Sequence, residues 1–129
     1  MNACEYCQEI QSPSESRFGQ IYDGIIDSRI MIRTKNFVVM PTLGQIFKGS
    51  VLILPLAHIE TLAALPYEQV TELEALLAQV QAKSRSIGHP VFLEHGSTKE
   101  SAGSCGIYHA HLHVVPLPTS VQPQEFLPA

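Results

Sequence analysis

One short run near the C-terminal end of the chain, His109–Val115, constrains the fold more than any other feature. Its three histidines alternate with Ala110, Leu112 and Val114. A period of two is the side-chain repeat of a β-strand, so the imidazoles share one face and the apolar residues share the other. Residues two apart on a strand lie ~6.6 Å apart, which lets neighbouring imidazoles act on one ligand. The pattern predicts a strand whose apolar face enters the core and whose imidazoles face a cleft.

Two other interpretations of the histidine run have to be considered. A surface cluster or an expression tag would be terminal and would lack the interleaved aliphatic residues. A purely metal-binding triad is the stronger alternative, because histidine is the commonest metal ligand in proteins. Cupin-like barrels also use His-x-His, but a carboxylate ligand follows there, whereas Val114–Leu117 follows here. Catalysis and metal binding both stay open on the residues alone.

Composition places the chain among compact globular proteins. Its 129 residues are enough for one domain with a real core, and 45% hydrophobic with 16% charged residues argues against disorder. The net charge of −4 makes the whole chain a poor partner for nucleic acid, so any phosphate contact must be local. No apolar run approaches the ~20 residues of a membrane span, and Met1–Glu5 lacks the features of a signal peptide. We expect a cytoplasmic protein with neither a nucleic-acid nor a membrane partner.

The three cysteines are too few, and odd in number, for a disulfide framework. Cys4 and Cys7 form a Cys-x-x-Cys pair, a spacing typical of metal or redox chemistry in a reducing compartment. A thioredoxin-like pair would follow a strand, and no strand precedes this one. Zinc is the better functional interpretation, although a tetrahedral site needs two further ligands. The alternative is that both cysteines are idle in a frayed terminus.

The order of the elements predicts an α+β fold with a largely antiparallel sheet and one long helix. Pro66 suits the first turn of that helix, which is expected to end near Ser86. Strands are predicted at 29–33, 36–40, 50–55, 91–94 and in the triad itself, with a further strand or hairpin over 18–26. We expect a single domain over residues 1–116 and a Pro-rich C-terminal tail over 117–129.

A loop rich in glycine and serine, 95–106, runs directly into the triad strand. Its small residues let backbone N–H groups approach a phosphate closely, and Lys99 can add a charge-assisted contact. Cys105 is either a plain thiol or a competitor for zinc. The alternative is an ordinary connecting loop.

The sequence His-φ-His-φ-His-φ-φ over His109–Val115, where φ is apolar, resembles the signature of the histidine triad (HIT) family of nucleotide hydrolases and transferases. The resemblance spans roughly residues 4–116. It implies the same α+β architecture, a small-molecule nucleotide substrate and a homodimer.

The resemblance also implies a complete set of zinc ligands. In zinc-binding members a Pro-x-x-His after the buried strand, here Pro55 to His58, supplies one ligand, and the first triad histidine supplies another. With the N-terminal pair, this implies zinc held by Cys4, Cys7, His58 and His109. Four protein ligands leave no position open for water, so the zinc is expected to be structural.

A covalent mechanism is the third implication of the resemblance. The middle histidine, His111, would attack the α-phosphate of a nucleotide and form a nucleotidyl-histidine, which water or another acceptor resolves. His113 would donate to the phosphate oxygens or the leaving group. The substrate-binding residues are expected to be Glu94, Gly96, Lys99, Cys105, Gly106 and Ile107. The alternatives are a zinc-stabilised nucleotide-binding protein with little turnover, and a zinc-dependent hydrolase whose triad holds the catalytic metal.

Several positions depart from the usual family pattern. Ser50 stands where many members have a histidine, and no carboxylate lies between residues 36 and 50, where many have an aspartate for the ribose hydroxyls. Glu94 and His95 precede the first glycine of the loop in place of asparagine. These departures concern the nucleoside and the leaving group, and they permit a second branch in which Glu94 and His95 act on a different phosphate ester.

Overall fold

The structure is a computed structural model that describes residues 4–26, 28–94 and 109–120. Its strands are β1 (Ile32–Arg33), β2 (Phe37–Pro41), β3 (Val51–Pro55), β4 (His89–Glu94) and β5 (Leu112–Leu117). Its helices are α1 (Glu5–Gln11), α2 (Arg17–Ile21) and α3 (Tyr67–Ser84), with short 3₁₀ turns at Pro13–Glu15 and Leu62–Ala64. The strands form one sheet in the order β1-β2-β3-β5-β4, and each neighbouring pair is antiparallel. The predicted α+β class is confirmed.

The predicted strands are present, with differences at their ends. Those at 36–40, 50–55 and 91–94 correspond to β2, β3 and β4. Of the expected strand 29–33, the structure assigns the last two residues to β1. The triad strand begins at Leu112, so the first two triad histidines, His109 and His111, precede β5.

The central strands β2 and β3 divide the core into two layers. Both are nearly continuous runs of buried apolar residues, as expected of strands covered on both faces. On one face α3 packs against the sheet, with the cluster containing Leu73, Leu76, Val80, Phe37, Val39, Ile53 and Val114. On the other face α1 packs against the sheet, with the cluster of Tyr6, Ile10, Val38, Met40, Leu52 and Leu54. We call the second group the α1 cluster.

The long helix agrees with its prediction except at the two ends. Pro66 is the N-cap of α3 rather than its first residue, and the helix ends at Ser84. Gly88 follows in close contact with β5, since a Cβ atom at this position would lie 2.3 Å from the carbonyl oxygen of Leu117. Among the helices of the described residues, none is long and apolar enough to cross a membrane.

A carboxylate on α3 holds the turn between β1 and β2. Glu72 accepts hydrogen bonds from the Thr34 hydroxyl at 2.6 Å and from the backbone and side-chain N–H groups of Asn36 at 2.8 and 2.7 Å. Burial raises the pKa of Glu72, but these hydrogen bonds and the charge of Lys35 outweigh burial and lower the pKa from its usual 4.5. The hydrogen bonds therefore favour the ionised carboxylate in the folded protein.

The expected strand or hairpin over 18–26 is wrong, because the structure has helix α2 and a turn there. The Ser16 hydroxyl caps the helix by accepting the backbone N–H three residues on, at 3.0 Å. Phe18 and Tyr22, four residues apart, stack with their ring centroids 4.6 Å apart. Gly24 turns the chain with a φ of +75°, but the turn follows a helix instead of joining two strands. The cap and the aromatic pair outweigh the weak alternation.

A buried ion pair anchors α1. The Arg29 guanidinium donates to both carboxylate oxygens of Glu9, at 2.5 and 2.9 Å, and also donates to the carbonyl of Pro41 at 2.9 Å. The side chains of Arg29 and Glu9 are 8% and 5% exposed. The guanidinium carbon lies 5.4 Å from the ring centroid of Phe18. These contacts fix α1 and α2 against the end of β2.

Candidate metal centre and histidine site

The four predicted metal ligands come together from three separate parts of the chain. Cys4 is the N-cap of α1 and Cys7 lies in its first turn, while His58 follows β3 and His109 precedes β5. One donor atom from each residue lies within 4.8 Å of all the others. His109 Nδ1 is 3.4 Å from each of the two sulfur atoms, and His58 Nδ1 is 3.3 Å from the sulfur of Cys7.

These distances fit a tetrahedral ion. With a Zn–S bond of ~2.3 Å and a Zn–N bond of ~2.05 Å, a tetrahedral angle places sulfur and nitrogen about 3.6 Å apart. The three measured distances of 3.3 to 3.4 Å lie close to this value. The backbone N–H of Cys7 also donates to the sulfur of Cys4 at 3.4 Å, which holds that sulfur at the start of α1. The cluster can therefore hold a metal ion.

The two ring nitrogens of His109 have different partners. Nε2 lies 2.8 Å from the carbonyl oxygen of Pro55. A carbonyl only accepts hydrogen bonds, so Nε2 carries the proton and Nδ1 directs its lone pair at the sulfur atoms. Burial lowers the pKa of His109, and the charges of His58 and His111 lower it further. The hydrogen bond to Pro55 raises the pKa but does not compensate, so the pKa of His109 lies below its usual 6.5. Such a ring is held neutral, as a metal ligand must be.

The second triad histidine is held in a defined tautomer. His111 is 2% exposed, and its Nδ1 lies 2.8 Å from the carbonyl oxygen of His109. Nδ1 must therefore carry the proton of the neutral ring, and Nε2 carries the lone pair. The ring centroids of Tyr6 and His113 lie 5.4 and 5.3 Å from that of His111. In the neutral tautomer that the His109 carbonyl selects, Nε2 has the electronic form of a nucleophile.

The third triad histidine reaches an apolar cleft. His113 lies opposite Leu52 of β3 and Leu93 of β4, and its neighbour Val114 faces α3. Because side chains alternate along a strand, the imidazole of His113 emerges on the opposite face. There it lines a cleft of about 350 Å³ between the β4–β5 side of the sheet and the loop 42–50. This volume is within the range of small-molecule pockets.

The structure places two of the unusual positions. Ser50 is buried in the wall of the cleft, and its hydroxyl donates to the carbonyl of Phe47 at 2.7 Å. Glu94, predicted to bind substrate, accepts the backbone N–H of Leu62 at 2.9 Å and so caps a 3₁₀ turn. The remaining predicted substrate-binding residues lie outside the described residues: Gly96, Lys99, Cys105, Gly106 and Ile107.

Sequence reasoning missed α1 and the side chain that it brings to the histidines. Tyr6 is 8% exposed and makes edge contacts with His109 and His111. The available signal was the spacing of four between Tyr6 and Ile10 directly after Cys4, which indicates a helix with one inward face. A further unpredicted contact is the hydrogen bond from the Ala110 N–H to the Ile59 carbonyl at 2.7 Å.

Comparison with a family model places the chain among known proteins. The HIT domain model matches residues 23–119, which is most of the chain. The protein therefore belongs to the HIT family, and the resemblance carried by the triad sequence is confirmed. A search of curated proteins found no match.

Solved structures share the fold at low sequence identity. A HIT family protein from Bacillus anthracis is 17% identical, with a TM-score of 0.67 over 99% of this chain and 80% of that one. A HIT family hydrolase from Legionella pneumophila is 18% identical, with a TM-score of 0.60 over 93% and 97%. A histidine triad nucleotide-binding protein from Candida albicans is 18% identical, with a TM-score of 0.65 over 90% and 76%.

Proposed function

We propose that this protein is a nucleotide phosphohydrolase or nucleotidyl transferase that acts at an α-phosphate through a nucleotidyl-histidine. The observation that carries the proposal is the 2.8 Å contact between His111 Nδ1 and the His109 carbonyl oxygen, which assigns the proton of the neutral ring to Nδ1. Membership of the HIT family supports it, as do a relative named a hydrolase and another named a nucleotide-binding protein.

The proposed reaction has two displacements at phosphorus. His111 Nε2 attacks the α-phosphate, and the P–O or P–N bond to the leaving group breaks with its electron pair. His113, which lines the cleft, donates a proton to the leaving group or a hydrogen bond to the phosphate oxygens. Water or another acceptor then attacks the phosphorus and releases the imidazole. Backbone amides near Gly106 and Ile107 are proposed to stabilise the negative charge.

The metal in this proposal is a structural zinc ion bound by Cys4, Cys7, His58 and His109. Its support is the donor set and the distances between the donor atoms. When bound, zinc supplies a crosslink between α1, the turn after β3 and the segment before β5. The chemistry at phosphorus is left to His111 and His113.

A homodimer and a cytoplasmic location complete the proposal. Among the described residues, β4 is the last strand in the sheet order, and its residues Val91 and Phe92 are half-buried at that edge. An apolar edge strand of this kind is normally covered, and antiparallel pairing with a second copy would cover it. The thiolate ligands suit a reducing compartment.

The test is turnover on a panel of nucleoside phosphoramidates, dinucleoside polyphosphates and nucleotide sugars. The wild type is compared with His111→Ala and with His89→Ala, a matched control at an exposed histidine of β4. We expect His111→Ala to lose activity by about a thousandfold or more, because the nucleophile is gone. Acid quenching of the wild type should trap a nucleotidyl adduct that mass spectrometry detects, and His89→Ala should behave as the wild type does.

Retained turnover in His111→Ala would exclude the proposed nucleophile. If the wild type binds nucleotides but turns over none of the panel, the second candidate, a zinc-stabilised nucleotide-binding protein, is favoured. The hydrogen bond of Glu94 to Leu62 points in that direction, since it engages a carboxylate expected at the substrate.

A further inference from the structure

Tyr6 connects the metal cluster to the proposed nucleophile. It lies between Cys4 and Cys7 in the first turn of α1. Its ring centroid is 6.0 Å from that of His109 and 5.4 Å from that of His111, with interplanar angles of 88° and 73°. One aromatic ring therefore contacts both a metal-cluster residue and the neighbouring triad histidine.

The position of Tyr6 is fixed on several sides. Its ring is part of the α1 cluster, packed with Ile10 one turn further along α1 and with Leu52 and Leu54 of β3. At 8% exposure the side chain has little freedom to move. The two cysteines on either side share His109 Nδ1 as a neighbour, at 3.4 Å from each sulfur, so the backbone around Tyr6 is tied to the triad segment.

Contacts with His109, Tyr6 and His113 bear on the orientation of His111. The His109 carbonyl accepts the N–H of Nδ1 at 2.8 Å, and a tilt of the imidazole away from that carbonyl would break this hydrogen bond. The Tyr6 ring, in edge contact at 5.4 Å, opposes such a tilt. A tilt would swing Nε2 away from the line of attack on phosphorus.

We propose that Tyr6 is a positioning residue for His111: its ring, set in place by the Cys4–Cys7 turn, holds the imidazole with Nε2 aimed at the phosphate. This inference rests on the proposed function. It assigns α1 a role in the reaction beyond metal binding, since the same helical turn supplies two metal ligands and the contact that orients the nucleophile.

The experiment uses the full-length, zinc-loaded protein with Tyr6→Leu, which removes the ring, and Tyr6→Phe, which keeps it. Tyr6→Met serves as a second ringless variant if Tyr6→Leu does not fold. Ile10→Ala is the matched control, because it weakens the same α1 cluster without removing an aromatic ring. Each variant is assayed for kcat, KM and zinc content, and its ¹⁵N-labelled histidines are examined by NMR for the tautomer of His111.

We expect Tyr6→Leu to lower kcat by about tenfold to a hundredfold, the cost of a misaligned reacting group, with KM within about twofold. Its zinc content should equal that of the wild type, and its His111 signals should show a mixture of tautomers. Tyr6→Phe should restore both kcat and the single Nδ1–H tautomer. Ile10→Ala should lower stability while keeping kcat within about threefold.

Three outcomes would overturn the inference. Tyr6→Leu with the kcat and the His111 tautomer of the wild type would show that the ring does not orient the nucleophile. If Tyr6→Phe loses as much kcat as Tyr6→Leu, the hydroxyl group of Tyr6 rather than its ring is the feature that matters. If Ile10→Ala loses as much kcat as Tyr6→Leu, the effect comes from the packing of the α1 cluster and not from the Tyr6 ring. If the wild type has no turnover the proposed function fails by itself, and the NMR comparison still decides whether Tyr6 holds His111.

Discussion

The buried pair of Glu9 and Arg29 offers a quantitative test of what holds α1 in place. Replacing Glu9 with leucine leaves the guanidinium, 8% exposed, without its two carboxylate hydrogen bonds. Removing one partner of a buried ion pair costs about 3 to 5 kcal/mol, because the remaining charge stays desolvated. Both side chains are almost fully buried, so solvent screening reduces this figure little.

The assay is the free energy of unfolding from urea denaturation, supported by thermal melts. At an unfolding entropy of ~2.1 cal/mol/K per residue, a loss of 3 to 5 kcal/mol in this chain corresponds to a fall in Tm of roughly 11 to 18 °C. A double variant, Glu9→Leu with Arg29→Met, should recover to within about 2 kcal/mol of the wild type, because the unpaired charge is gone. The residual cost reflects the Pro41 carbonyl, which loses its donor.

Glu5 lies on α1 as Glu9 does, and its exposed pair with Arg17 of α2 is the matched control. Its atoms are 3.4 Å apart and its side chains are 51% and 76% exposed, so Glu5→Ala should cost less than about 1 kcal/mol. A loss below about 1 kcal/mol in Glu9→Leu, or a double variant as unstable as the single one, would refute the reasoning that an unpaired buried charge dominates.

Three further predictions concern the fold and the metal. Glu72→Gln should unfold at a lower free energy than the wild type above pH 4.5, because the lowered pKa of Glu72 stabilises the wild-type fold there. As the pH falls below 4.5, the difference in the free energy of unfolding between the two proteins should shrink. A difference that stays constant from pH 3 to 7 in urea titrations would contradict this. Gly88→Ala should cost about 1 to 3 kcal/mol by forcing a methyl group against the Leu117 carbonyl, and an unchanged Tm would count against the close contact. A chelator should lower the Tm of the wild type but leave that of Cys7→Ser unchanged, and equal shifts in both would argue against the Cys7 site.

The sequence predicted correctly those elements of the fold whose pattern lies in neighbouring residues. The apolar run of β3 and the helical repeat of α3 were identified, because each element repeats a local pattern whose period reflects which face is buried. α1 and α2 were not identified. They are helices of seven and five residues, too short to be stable alone, and their contacts with the sheet hold them in place.

The sequence by itself determined the alternation of the triad, the residue types able to bind a metal, and the family to which they point. Tertiary structure alone decided that Tyr6 contacts His109 and His111, that the His109 carbonyl selects the tautomer of His111, and that Glu94 contacts Leu62. The physical reason is the separation of the residues along the chain. The periodicity of a sequence indicates which face of a single element is buried, whereas these contacts depend on how α1, the strands and the segments between them pack together.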